Sequence, residues 1–314
     1  MNWLRSRLRR AYTETLRRSI SNPPDHVAVI QDGNRRYAAK QGLDESRGHN
    51  SGAETTEELL HWCEEVSIQE LTLYTLSTEN FARPDDELES LYDLITEKLY
   101  KFADADLTHD SEVQIRCLGD PDQLPPRVVE AIQYAEAETA AYDQLQLNIA
   151  LAYGGRNELL QCAKAVTTEV AHGDLAVEDI SVSTIEEQLY EGPIRTVDLI
   201  IRTGGDERTS NFLPWYASGN EAAVYFCTPY WPEFNKAEFY RAIRTYESRE
   251  QSWQQDQAHR AVALIHALAK NEYHDHSQIV SRVWETLADN AQSEVKRLVD
   301  MDHSDTQIDL PTDD

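Results

Sequence analysis

Two rhythms of apolar and polar positions alternate along this chain. Short, near-continuous apolar runs occur at His26–Gln31, Leu71–Leu76, Val113–Leu118, Gln146–Leu151, Val197–Ile201 and Ala223–Phe226. Runs of this length and composition predict strands. Between them, Thr55–Val66, Leu88–Ala103, Arg127–Ala141 and Asn157–Val170 place apolar residues three and four apart, which predicts helices. Alternation of the two means βαβ units and a mostly parallel sheet. Strands without polar alternation belong to a sheet covered on both faces. The expected fold class is therefore α/β: one domain with a central, mostly parallel six-stranded sheet flanked by helices.

The flanks differ from this body. Residues 1–22 read as a basic amphipathic helix, with Arg5, Arg7, Arg9, Arg10, Arg17 and Arg18 interleaved with Trp3, Leu4, Leu8, Tyr12 and Leu16. Two readings stay open: a foothold on an anionic membrane surface, or a solvated helix packed on its own domain. Residues 23–250 form the expected main domain, and 251–299 a helical extension. Residues 300–314 carry six acids and no Lys or Arg, which predicts an acidic disordered tail.

Charge sharpens the picture. The net charge over 314 residues is −27, with 7 lysines against 22 arginines. A uniformly acidic, lysine-poor surface suits high salt and reads as that of a halophilic archaeon. It disfavours nucleic acid as a partner, which needs a basic footprint. No stretch approaches the ~20 apolar residues of a membrane span, and the arginines near the start precede no apolar block of a secretory signal. Cys63, Cys117, Cys162 and Cys227 lack paired spacing, which argues against a zinc site or disulfide framework and for a cytoplasmic setting.

Candidate chemistry gathers where predicted strands end, the usual ligand edge of an open α/β sheet. After the first run come Asp32, Gly33, Asn34, Arg35, Arg36 and Tyr37. Gly33 permits close backbone approach, and the helix start that follows is a phosphate site. A carboxylate beside bound phosphate is what Mg²⁺ bridges; alternatively Asp32 is a plain helix N-cap. After the fifth run, Arg202, Arg208 and Ser210 suit a diphosphate, or else the arginines simply pair with Asp206 and Glu207. Ser77, Thr78, Glu79, Asn80, Phe81 and Arg83 follow the second run and are closed by Pro84. Tyr153–Asn157 reads as a strand-to-helix turn, His274-Asp275-His276 as exposed polar surface, and Asp85–Glu89 as a charged first helical turn. Neither a Gly-rich phosphate loop ending in Lys nor a dinucleotide fingerprint is present.

Taken together, His26–Tyr37, Gly48-His49-x-x-Gly52, Leu73–Pro84, Leu147–Arg156, Asp198–Phe212, Glu221, Tyr225-Phe226 and Trp231-Pro232-x-Phe234 resemble the motifs of the cis-prenyltransferases, the undecaprenyl diphosphate synthase-like enzymes, in family order. The resemblance implies a Mg²⁺-dependent transferase that condenses isopentenyl diphosphate repeatedly, with cis geometry, onto an allylic diphosphate, geranylgeranyl or farnesyl. The long-chain product would be the precursor of a glycosyl carrier lipid. It implies Asp32 and Asn80 as catalytic residues and Asp32 and Glu221 as metal ligands. Gly33, Asn34, Arg35 and Arg36 would hold the allylic diphosphate. Arg202, Arg208, Thr209 and Ser210 would hold that of isopentenyl diphosphate. Tyr37, His49, Ser77, Thr78, Glu79, Phe81 and Arg83 would line the substrate site. It also implies an apolar tunnel with Leu88–Phe102 as one wall, and a homodimer; the amphipathic pattern of residues 1–20 adds the option of contact at the inner membrane surface from the cytoplasm.

The chain departs from the bacterial pattern. Glu45 stands where many members carry arginine, with Arg47 as a candidate substitute, and Arg35 stands where they have glycine. Tyr37 and Phe81 replace tryptophans. The Arg35-Arg36-Tyr37 version resembles archaeal and eukaryotic members. The alternatives to a long-chain synthase are a short-chain cis-prenyltransferase and a non-catalytic partner subunit.

Overall fold

A computed structural model of the chain describes residues 2–189, 195–218, 222–270, 284, 292, 295 and 296. Six strands form one sheet: β1 (His26–Ile30), β2 (Glu70–Tyr74), β3 (Val113–Gly119), β4 (Leu145–Leu151), β5 (Leu199–Arg202) and β6 (Ala223–Phe226). Their order is β3-β4-β2-β1-β5-β6, and all five pairings are parallel. The helices are α1 (Asn2–Ser19), α2 (Asn34–Gln41), α3 (Glu45–Glu65), α4 (Asp85–Ala103), α5 (Asp106–Asp110), α6 (Pro126–Thr139), α7 (Gly155–His172), α8 (Val182–Leu189), α9 (Pro214–Ser218) and α10 (Lys236–Lys270). The expected α/β class and parallel sheet are thus what the chain adopts.

Strand side chains alternate between faces, and here both faces are buried. Val27, Val29, Leu71, Leu73, Leu147, Ile149, Leu199 and Ile201 join a core with residues of α3, α4, α6 and the start of α10. Ala28, Ile30, Ala150 and Ile200 join a second core with Cys162, Val166, Leu189 and Tyr216 of α7, α8 and α9. This explains the unbroken apolar runs. One corner of the second face is polar instead. His26 Nδ1 meets Arg195 O at 2.8 Å and its Nε2 meets Thr72 Oγ1 at 2.8 Å. Asn148 Nδ2 donates to Thr72 Oγ1 (3.0 Å) and Glu70 Oε1 (2.6 Å), and Glu70 Oε2 accepts the Arg195 N–H (3.2 Å). Burial pushes the His26 imidazolium's pKa down, so the ring is neutral. Nδ1–H therefore donates to Arg195 O, while Nε2 accepts from Thr72.

Two helices begin earlier than their periodicity suggests. α3 starts at Glu45 rather than Thr55, capped by the Asp44 carboxylate, which accepts the Arg47 N–H at 2.9 Å. Gly48 and Gly52 conceal this first part, and both are needed for packing. A Cβ at Gly48 would lie 2.4 Å from Asn34 O, and one at Gly52 2.4 Å from Asn34 Oδ1. α10 begins at Lys236, well before residue 251. Leu16 of α1 and Ile20 just beyond it pack on the core, whereas Leu8 and Tyr12 of α1 are 62% and 49% exposed. The later half of this helix is thus packed on its own domain. Compact units comprise Met1–Tyr246 and Glu247–Asp314; the site below lies in the first. Expectations for residues 271–299 lie outside the described residues apart from 284, 292, 295 and 296, and the tail 300–314 lies wholly outside them.

Candidate active site

Strand order builds the site. β1 lies between β2 and β5, with Ile30 in register with Tyr74 on one side and Arg202 on the other. The chain leaves β1 for β2 in one direction, and β5 and β6 lie in the other, so a crevice opens at the carboxyl ends of β1 and β5. All three polar clusters singled out from sequence emerge at this edge.

At the end of β1 the cap of α2 is Gly33, not Asp32. Gly33 has φ +108°, and a Cβ there would lie 2.7 Å from Tyr230 Cδ1, so glycine is required twice over. The Asp32 carboxylate is thereby free of capping and turns to two arginines. Its Oδ1 accepts from Arg36 Nη2 at 2.8 Å and its Oδ2 from Arg202 Nη2 at 2.7 Å. Burial raises its pKa, but these hydrogen bonds from Arg202 and Arg36 outweigh burial and hold the carboxyl below its ordinary value. The first N–H groups of α2 have no intrahelical partner and add the helix dipole's positive end.

At the end of β5, Arg202 is 3% exposed. Besides Asp32 it donates to Ser210 Oγ, Arg208 O and Asp206 Oδ2. Asp206 Oδ2 also accepts from Arg208 Nη2 at 3.0 Å. The pairing of both arginines with Asp206 is therefore real, but it holds them at the crevice rather than away from it. Thr203, which the motif reading passed over, stitches the two strand ends together: its Oγ1 accepts the Asp32 N–H (3.0 Å) and donates to Asp32 O (2.7 Å). Ser210, Asn211 and Leu213 all have positive φ (50°, 61° and 47°). Strain of this kind persists where surroundings over-determine it, and Asn211 is pinned through its O and Oδ1 to Gly155 N and Arg156 N of α7.

Beyond β2, Asn80 Oδ1 accepts the Ser77 N–H at 3.0 Å, so the amide oxygen is committed to the turn. Arg83 Nη1 donates to Glu87 Oε1 (2.7 Å), and Glu87 also faces Arg35 Nε at 3.5 Å. Arg35 Nη2 in turn meets Glu45 Oε1 at 2.9 Å. The two departures from the bacterial pattern thus pair with each other. Arg47 is bound instead to Asp44. His49 is pushed down to about 4, mainly by burial and then by the Arg83 charge, and is neutral.

A cavity of about 290 Å³ joins these groups. Asp32, Asn34, His49, Ser77, Glu79, Asn80, Arg83, Arg202, Arg208 and Ser210 line it, and so do the apolar Leu73, Leu91, Leu94, Ile95, Leu99, Phe102 and Ile149. Gly33, Arg35, Arg36, Tyr37, Thr78, Phe81 and Thr209 do not line it. Gly33 and Arg36 act one layer back, Arg35 in the Glu45–Glu87 network, and Phe81 against the core. Glu221 lies outside the described residues. Gln31 and Thr56, not foreseen from sequence, do line the cavity, as does Lys98 within the stretch expected to form its wall. Among the described residues three buried side-chain polar atoms have no hydrogen-bond partner: Asn34 Oδ1, His49 Nε2 and Arg202 Nε. All three residues line this one cavity. Unsatisfied buried groups are costly, and their convergence marks a place for a polar ligand.

Among the described residues no three His, Cys, Asp or Glu side chains converge as a ready-made metal cage. The donor set fits Mg²⁺ in another manner: the ionised Asp32 carboxylate lines the cavity beside Arg202, Arg208 and the unpartnered Asn34 Oδ1, which suits an ion that takes one or two carboxylates, phosphate oxygens and water.

Comparison with known proteins agrees. Residues 30–254 match the family model described as "Putative undecaprenyl diphosphate synthase". A Haloarcula marismortui relative named tritrans,polycis-undecaprenyl-diphosphate synthase (geranylgeranyl-diphosphate specific) is 55% identical over 93% of this chain and 96% of its own. A Halobacterium salinarum relative of the same name is 59% identical over 82% of this chain and 85% of its own. The acidic surface read as a halophile's fits relatives from these two genera. A crystal structure of lavandulyl diphosphate synthase from Lavandula x intermedia in complex with dimethylallyl diphosphate is similar with a TM-score of 0.66 and 29% identity, covering 71% of this chain and 95% of that one. Fold, strand-end clusters and relatives converge: this chain belongs to the undecaprenyl diphosphate synthase family of prenyl-transferring enzymes, the cis-prenyltransferases.

Proposed function

We propose that this protein condenses isopentenyl diphosphate repeatedly onto geranylgeranyl diphosphate, with cis geometry, to make a long-chain polyprenyl diphosphate for a glycosyl carrier lipid. The observation that carries the reading is the cavity itself. It is rich in arginine and unsatisfied donors and acceptors where β1, β2 and β5 end, and apolar along α4. That is a pocket for a molecule with a diphosphate head and a hydrocarbon tail. The starter assignment rests on the names of the two halophile relatives.

The first bond to break is the allylic C–O bond, which leaves negative charge on the departing diphosphate. The N-terminus of α2, Asn34 and Arg36 stabilise that charge. Asp32 would hold Mg²⁺, with Glu221 as a second ligand; when bound, the ion neutralises diphosphate oxygens and promotes leaving-group departure. Arg202, Arg208 and Ser210 hold the diphosphate of isopentenyl diphosphate so that its terminal carbon faces the allylic carbon, and the new C–C bond forms there. The proton then lost from the condensing unit goes to diphosphate. Asn80, a neutral amide with its oxygen engaged by Ser77 N, orients the substrate and is not the base. Neutral His49 serves as a hydrogen-bonding group. The apolar cavity along α4 is the start of the tunnel that receives the growing chain.

The exposed half of α1 would rest on an anionic membrane surface, where Leu8 and Tyr12 enter the interface beside Arg9 and Arg10. No helix of the described residues is long and apolar enough to cross a membrane. The expected homodimer belongs to the same proposal and is measured by light scattering.

The test is incorporation of radiolabelled isopentenyl diphosphate at high salt with Mg²⁺ and either geranylgeranyl or farnesyl diphosphate, followed by chromatography of the products. Long products that require Mg²⁺ and favour the geranylgeranyl starter are expected. Short products would replace the reading with that of a short-chain enzyme. No incorporation by folded protein would overturn it in favour of a non-catalytic subunit.

A further inference from the structure

The rows of side chains that face α3 and α4 change character at one level of the sheet. In β1 the row runs Val27, Val29 and then Gln31; in β2 it runs Leu71, Leu73 and then Thr75. Val29 is in register with Leu73 and Ile30 with Tyr74, so Gln31 and Thr75 stand side by side, one step past the strand ends. Both line the active-site cavity, and so does Thr56 of α3.

The three side chains are tied together. Gln31 Nε2 donates to Thr56 Oγ1 at 2.7 Å, and Thr56 Oγ1 donates onward to Gly52 O at 3.1 Å. Gly52 O also accepts from Trp231 Nε1 at 2.7 Å, which anchors the far end of this chain of bonds. On the other side Thr75 Oγ1 lies 3.4 Å from Gln31 Oε1, too far for a strong hydrogen bond. The amide is thus held by its nitrogen, while Oε1 keeps acceptor capacity. Pairing explains how these groups tolerate burial. It does not explain why they face a cavity whose wall on α4 is Leu91, Ile95 and Leu99.

Their place in the cavity supplies the reason. Asp32 directly follows Gln31 in the chain, and the apolar Leu73 stands one row behind Thr75. A substrate with its diphosphate among Asp32, Asn34 and Arg202 and its hydrocarbon along α4 has its first carbons between the two, at the level of Gln31. We propose that Gln31 is a further catalytic residue: its Oε1 faces those carbons and stabilises the positive charge that grows on them as the allylic C–O bond breaks. This rests on the reading of the cavity as the site of allylic substitution. The bonding pair leaves with the diphosphate oxygen, and positive charge spreads over C1 and C3 of the allyl unit. The double-bond electrons of isopentenyl diphosphate then form the C–C bond at C1, and the proton lost afterwards goes to diphosphate. A carbonyl dipole already aimed at that charge lowers the barrier without having to reorganise. A neutral amide suits the place better than a carboxylate, whose charge would repel the adjacent diphosphate.

The experiment separates charge from shape with two unreactive analogues of geranylgeranyl diphosphate. One carries a protonated tertiary amine in place of C3; the other is the neutral thiolodiphosphate, whose C–S bond resists cleavage. Their binding is measured by calorimetry at high salt with Mg²⁺, for the wild type and for Gln31→Met, which keeps length but removes the amide. Expected are an affinity for the ammonium analogue about 10-fold weaker in Gln31→Met and an affinity for the thiolodiphosphate within about two-fold of wild type. The single-turnover rate of the first condensation should fall about 10-fold, with KM for isopentenyl diphosphate unchanged. Equal losses for both analogues would overturn the proposal, because Gln31 would then only shape the cavity. So would an unchanged single-turnover rate. Gln31→Leu serves the same comparison if the methionine variant does not fold. Failure of the wild type to bind either analogue or to incorporate substrate would instead overturn the reading of the activity.

Discussion

Two ends of the same sheet bury polar side chains, and they do so in opposite ways. Near the amino ends of β1, β2 and β4, His26, Thr72, Asn148 and Glu70 form a chain in which each of the groups described finds a partner. At the carboxyl ends of β1, β2 and β5, Asn34, His49 and Arg202 each keep a buried atom without one. A satisfied cluster specifies structure. An unsatisfied one carries a desolvation cost that water or the polar atoms of a ligand must offset. The contrast separates scaffold from site without reference to any relative.

Substitutions at the two ends should therefore fail differently. The largest effect is expected for Asp32→Ala: turnover falls about 10³-fold, equivalent to about 4 kcal/mol, while circular dichroism is unchanged. Wild-type turnover would remove Asp32 from the chemistry. Asn148→Leu should do the reverse. It leaves Glu70 and Thr72 short of a donor and costs about 3 kcal/mol of stability by denaturant titration, with kcat retained at temperatures where the protein stays folded. Loss of kcat in the folded variant would erase the distinction between the ends. Arg208→Ala, on an arginine whose side chain is 69% exposed, should raise KM for isopentenyl diphosphate about 30-fold, near 2 kcal/mol, and leave the melting temperature alone.

The comparison is sharpened by pH. Both His26 and His49 have folded pKa values below the ordinary value of 6.5, and that of His49 is about 4. Below pH 6.5 the unfolded chain binds protons that the folded chain refuses, so stability is lost as pH falls. His49 alone accounts for about 2 kcal/mol at pH 5. His49→Gln should remove that share of the acid limb and leave the part due to His26. A stability–pH profile identical to wild type would show that His49 titrates normally.

Much of this was legible in the chain. All six strands were visible because a sheet buried on both faces needs continuous apolar runs, and their bounds differ from expectation by at most two residues. Long-range order was not legible. That Ile30 registers with Arg202, and that Asp32 is therefore clamped by Arg36 and Arg202, depends on strand order. The first part of α3 escapes periodicity because Gly48 and Gly52 serve close packing against Asn34. Thr203 sat inside a recognised motif but was outshone by its charged neighbours.

The adjacency of β1 and β5 has a consequence for synthesis on the ribosome. The Asp32–Arg202 pair spans 170 residues, and β4 is complete at Leu151 whereas β5 starts only at Leu199. At translation rates of about 5–20 residues per second, this gap lasts roughly 2 to 10 seconds. Throughout it, the nascent chain can hold four strands with the β1 edge unpaired, an open template for mispairing. The interval in which the newborn enzyme is most exposed to aggregation is thus written into its strand order.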